Sequence, residues 1–96
     1  MALFVVKHSH EAEVCPAGHP EMGPMLLKHV SQSNAAAMGI TIHGEAVVDG
    51  AHTFYIILEA GDRGQVDQFV APFAQMGQVE VLPANPCETV VQRKSC

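Results

Sequence analysis

Hydrophobic and polar residues alternate at the start of the chain. Phe4, Val6, His8 and His10 share one side and Leu3, Val5, Lys7 and Ser9 the other, the period of two that marks a strand over residues 2–10. Residues 11–20 break the pattern and read as a loop, closed by Pro16 and Pro20 and loosened by Gly18. From 21 to 37 the apolar positions Met22, Met25, Leu26, His29, Val30 and Ala36 or Ala37 form an approximate helical stripe. Pro20 and Glu21 suit its first turn, and Gly39 is a natural stop. Ile40–Val48 reads as a second strand, Asp49-Gly50 as a two-residue hairpin turn, and His52–Ala60 as a third strand whose continuous apolar run marks an interior position. Gly61-Asp62 then caps a second helix over 62–76, with Val66, Phe69, Val70 and Phe73 at helical spacing and Pro72 expected to kink or shorten it. Gly77 ends that helix, and residues 79–82 form a fourth strand closed by Pro83 and Pro86. Residues 87–92 are expected to add a short edge strand or to belong to a C-terminal arm, 87–96.

The order β-α-β-β-α-β is the split βαβ arrangement of a ferredoxin-like α+β fold: one domain over 1–96, with a four-stranded antiparallel sheet and two helices on one face. The expected sheet has the first and third strands as parallel neighbours in the centre, the second beside the third and the fourth beside the first. Leu3, Val5, Phe54, Ile56, Leu58, Ile40, Ile42, Ala46 and Val48 then make the apolar face that carries the helices. The opposite face collects Phe4, Val6, His8, His10, Thr41, His43, Glu45, Thr53, Tyr55, Ile57 and Glu59.

Composition narrows the partners. A formal net charge of −5, with five scattered basic residues, argues against a nucleic-acid or anionic-membrane surface. No apolar run approaches the roughly 18–20 residues of a membrane span. The opening MALFVVKHSH reads as a strand rather than a signal peptide, so a cytoplasmic protein is expected. Three cysteines, Cys15, Cys87 and Cys96, are an odd number and cannot form a full disulfide framework within one chain.

Candidate chemistry concentrates in HSHEAEVCPAGHP, residues 8–20, which holds three of the six histidines. His8 and His10 point the same way from one strand. With Cys15 and His19 they make an H-x-H-x4-C-x3-H set that suits tetrahedral zinc, or a copper or nickel site. It matches no standard finger spacing. In the expected sheet His8, His10, His43 and Glu59 converge at one edge with the loop of Cys15 and His19. His29 reads as a hydrogen-bonded structural histidine, and His52 as an exposed hairpin residue at the opposite edge.

The opening MALFVV, the His29 of LLKHV, the hairpin before FYIILEA and the run VAPFAQMGQVEVLP (residues 70–83) resemble the small YciI-like proteins of the dimeric α/β-barrel superfamily. The likeness covers residues 1–83. It implies a homodimer packed sheet against sheet, with a cavity lined by the mixed face. That family usually carries an Asp before the Pro-Phe pair, thought to form a dyad with the helix histidine. Here the position is Ala71, so a His–Asp activity does not carry over.

The leading expectation is a small cytoplasmic homodimer that binds a transition metal, zinc before copper or nickel, with His8 and His10 as ligands and Cys15 and His19, or His43 and Glu59, completing the shell. The alternative is a metal-independent isomerase-, lyase- or monooxygenase-like enzyme acting on a small organic molecule, with His8, His43, Tyr55 and Glu59 as acid/base groups. A plain interaction module with incidental histidines is the third.

Overall fold

The computed structural model describes residues 1–96. The strand β1 (Ala2–Ser9) is the one around which the sheet assembles. It pairs antiparallel with β3 (Thr53–Ala60) on one side and with β4 (Gln78–Ala84) on the other. β2 (Thr41–Val48) pairs antiparallel with the outer side of β3, giving the order β2-β3-β1-β4. This is the α+β, four-stranded antiparallel sheet expected from the residue pattern, and its order is consistent with a ferredoxin-like fold.

The neighbours β1 and β3 run antiparallel, which corrects the expected parallel pair. Ala2 lies opposite Ala60 and Ser9 opposite Thr53. The face assignment of β1 changes with it. Phe4, Val6 and His8 register with Leu58, Ile56 and Phe54, and those β1 residues are buried. The face of β1 expected to be mixed is therefore the one beneath the helices, because a one-residue difference in register exchanges the two faces of a strand. In β2 the pairing shifts between Ile42 and Gly44, a bulge at His43. Ile42 stays in the core, while Glu45 and Val47 pair with Ile56 and Phe54.

Helix α3 (Arg63–Ala74) closes the core with Val66, Phe69, Val70 and Phe73, all buried against Phe4, Val6, Ile42, Ile56, Leu58 and Val81. Burial of one such side chain contributes about 1.5–3 kcal/mol, so α3 is the principal lid of the sheet. Its start is fastened reciprocally. The Asp62 carboxylate accepts from the Gln65 N–H at 2.9 Å, and the Gln65 side-chain oxygen accepts from the Gly61 N–H at 2.7 Å. Pro72 has no N–H to offer the Gln68 carbonyl four residues back, and the helix ends two residues after it.

The single helix expected over 21–37 is two: α1 (Met22–His29) and α2 (Gln32–Ala37). Ser31 divides them. Its backbone is extended, its hydroxyl donates to the Lys28 carbonyl at 2.7 Å, and its Oγ accepts from the Asn34 N–H at 3.3 Å. One side chain thus ends one helix and caps the next. Gly39 follows α2 at φ +76°, the left-handed position that a glycine fills without steric cost. Where an edge strand or an arm was expected over 87–92, the chain forms helix α4 (Cys87–Arg93). Pro86 stands at its N-cap and Glu88 in its first turn, both good starting residues.

Candidate metal centre

The end of β1 carries His8 and His10 toward the helix side. His8 is 3% exposed, its ring 5.3 Å from those of both His10 and Phe73. His10 lies just past the last β1–β3 pair, and its N–H donates to the carbonyl of His52 at 3.2 Å. The hairpin between β2 and β3 is not the expected two-residue turn. Val48 pairs with Thr53, so four residues intervene, with Gly50 at φ +73° and His52 at φ +49°. A left-handed backbone is uncommon for a residue with a side chain, although histidine tolerates it better than most. Here it turns the His52 ring to 5.2 Å from that of His10.

The third group comes from the loop after β1. A single 3-10 turn, Ala12–Val14, sends the chain back, with the Cys15 N–H donating to the Ala12 carbonyl at 3.3 Å and Pro16 buried beneath. The ligand atoms of His10, Cys15 and His52 all lie within 4.8 Å of one another. Both ring nitrogens of His10 and Nε2 of His8 are buried without a hydrogen-bond partner. A buried polar group left unpaired costs about 1–3 kcal/mol, and three of them side by side mark an arrangement built for something else.

Electrostatics agree. Burial, followed by the neighbouring His10, holds the His8 pKa below the ordinary imidazole value, against a weaker upward pull from the Phe73 backbone. Burial and then His52 do the same to His10. A histidine whose pKa is lowered on folding makes the native state bind fewer protons than the unfolded chain. Its contribution is fully present above the unfolded value near 6.5 and is lost as pH falls below it. Urea unfolding of metal-free protein is therefore expected to show the midpoint dropping between about pH 7 and pH 5, with the drop reduced in His8→Phe. A midpoint unchanged over that range, or an equal drop in the variant, would contradict this account.

The remaining sequence candidates lie elsewhere. His19 caps α1: its Nδ1 accepts from the Glu21 and Met22 N–H groups at 3.1 and 3.0 Å, and it faces a separate depression with Cys15, Met22 and Met76. The expected convergence of His43 and Glu59 with His8 and His10 does not occur. Antiparallel pairing sets Glu59 opposite Leu3, five residues along β3 from the Phe54 that faces His8, about 17 Å away at strand rise. His43 and Glu59 instead contact each other at 3.2 Å, both substantially exposed. Tyr55 sits on the uncovered sheet face, away from the cavity described below. His29 is structural, as expected: Nε2 donates to the Phe69 carbonyl, Nδ1 accepts from Asn34, and the ring stacks on Phe69 at 4.7 Å.

Sequence reasoning missed His52. The signal was present in the element order, since a split βαβ unit makes β1 and β3 antiparallel and brings the start of one to the end of the other.

The histidine–cysteine group opens onto a cavity of about 500 Å3 between α1 and the sheet. The cavity exists because α1 buries none of its residues fully. Leu26 and Val30 form one wall, while Val47, Phe54 and Phe73 form the others.

Fold and site together define a small α+β protein with a four-stranded antiparallel sheet and a His/Cys group, able to hold a metal ion, at one end of it. The chain belongs to the DUF3303 family, a domain of unknown function, whose family model matches residues 4–94 and so spans every residue of that group. Neither curated proteins nor solved structures provide a match. No helix is long and apolar enough to cross a membrane.

Proposed function

We propose that this protein binds a transition metal ion, zinc before copper or nickel, through His10, Cys15 and His52. The supporting observation is the approach of their three ligand atoms to within 4.8 Å of one another from three separate segments. Ligand atoms around tetrahedral zinc are roughly 3.3–3.8 Å apart, so about an ångström of side-chain adjustment completes the set. Two imidazoles and a thiolate suit zinc, and three protein ligands leave a fourth position for water or a ligand from the cavity. An ion in such a site acts as a Lewis acid and activates what binds at the open position. His8 lies beside the three, while His19 is occupied as a helix cap.

Elemental analysis of untagged protein purified without chelator tests the reading. About one zinc, copper or nickel per chain is expected, retained in His19→Ala and lost in Cys15→Ser. A metal-free protein that also fails to take up added zinc or cobalt would refute it.

The quaternary reading rests on the sheet face that no helix covers. Leu82, Val5 and Ile57 form a row across β4, β1 and β3, with Ile57 44% and Leu82 45% exposed on it. Lys7 is paired with Glu80 in the next row, so the face carries both charge signs and suits contact with a second copy of itself. Light scattering is expected to give about twice the 10.3 kDa chain mass, and Ile57→Lys the mass of one chain. A wild-type monomer would remove this reading. The three unpaired cysteines suit a reducing compartment such as the cytoplasm.

A further inference from the structure

The cavity beside the candidate metal centre has walls of two characters. Leu26 from α1, Val30 at its C-terminal cap, Val47 from β2 and Phe54 from β3 make most of it apolar. One end is polar, formed by the three metal-ligating residues and by His8. His8 is 3% exposed, yet its Nε2 has no partner in the protein. It also lies outside the set of atoms that approach one another closely enough to share an ion. An orphaned nitrogen on a ring that lines an apolar cavity is what a ligand's polar group would satisfy. A divalent ion held by two neutral imidazoles and one thiolate keeps a net charge of +1, which favours an anionic group at the open position. Glu45 and Asp49 line the cavity and are exposed to solvent, so they disfavour an anion at the mouth.

We propose that the cavity binds a small, largely apolar monocarboxylate. Its body lies among Leu26, Val30, Val47 and Phe54, and its carboxylate spans the ion held by His10, Cys15 and His52 and the Nε2 of His8. This rests on the metal reading above and adds the ligand class to it. A cavity of about 500 Å3 accommodates a body the size of an aromatic ring with a short side chain. His8 has the role of a binding residue: its ring supplies a hydrogen bond, and its tautomer follows from the partner.

Cobalt-loaded protein, whose visible bands report changes at the open coordination position, is titrated with phenylacetate and with acetate. Phenylacetate is expected to shift the bands at a concentration at least about tenfold lower than acetate, the least that burying a phenyl ring supplies. Val47→Asp, at an exposed wall position, is expected to retain cobalt and erase that advantage; His8→Phe is expected to retain cobalt and weaken the binding of both acids. Equal responses to the two acids, or bands that neither acid shifts, overturn the proposal and leave the metal site standing. Failure of the protein to take up cobalt overturns both.

Discussion

Replacing His10 with alanine is expected to lower zinc affinity by about two to three decades while leaving the fold intact. Structural zinc sites contribute about 10–16 kcal/mol through four ligands, which apportions roughly 2.5–4 kcal/mol to each, and about 1.4 kcal/mol is a factor of ten. His10 is the central member of the group. Its ring stands between those of His8 and His52, and neither of its nitrogens has another partner. No native hydrogen bond of the side chain is lost on truncation, so the metal-free variant should unfold at a urea concentration close to wild type. Zinc titration in competition with a chromophoric chelator measures the first effect and urea denaturation the second. Unchanged zinc affinity would remove His10 from the site. A collapse of stability in the metal-free variant would make it a core residue instead.

Gly77→Ala is expected to destabilise the protein by about 3 kcal/mol and to weaken metal binding with it. A Cβ at this position collides with the Ser9 carbonyl oxygen and comes within 3.1 Å of the His10 Cα and Cβ. The obstruction is backbone held between two strands, so no rotamer change relieves it. The cost therefore lies toward the upper end of the roughly 1–3 kcal/mol typical of overpacking. Ser9 pairs with Gln78 on one side and Thr53 on the other, and the residues displaced are those that aim His10 at Cys15 and His52. Thermal unfolding with and without zinc checks the expectation. For a domain of this size a loss of 3 kcal/mol lowers Tm by about 12–24 °C, and the increment from added zinc should shrink as well. A variant as stable as wild type would mean that β1 and the turn at Gly77 separate at little cost.

Much of the fold was legible in the residue pattern. The alternation of Phe4, Val6 and His8, the apolar run of β3 and the spacing of Val66, Phe69, Val70 and Phe73 each mark an element by its period. The cap at Ser31 and the helix start after Pro86 were harder to read. A serine in a polar stretch can continue or interrupt a helix, and a short valine-containing tail fits a strand as well as a helix. His8, His10 and Cys15 stood out because their chemistry is local to one short stretch of the chain.

Periodicity and local chemistry thus belonged to the sequence: four strands, helices between them, an uncapped hydrophobic face on β1, and a loop rich in soft ligands. Which face of β1 lay inward, and which distant residue met His10, depended on strand direction and register. Those are properties of pairing between segments that are far apart in the chain. One reversal of direction exchanged His43 and Glu59 for His52 as the neighbours of His10. The bulge at His43 set Val47 opposite Phe54, the positively twisted turn at His52 aimed its ring, and α1 standing away from the sheet opened the cavity. A site assembled from three segments exists only once their relative placement is decided, and that decision is made by the packing of the whole core.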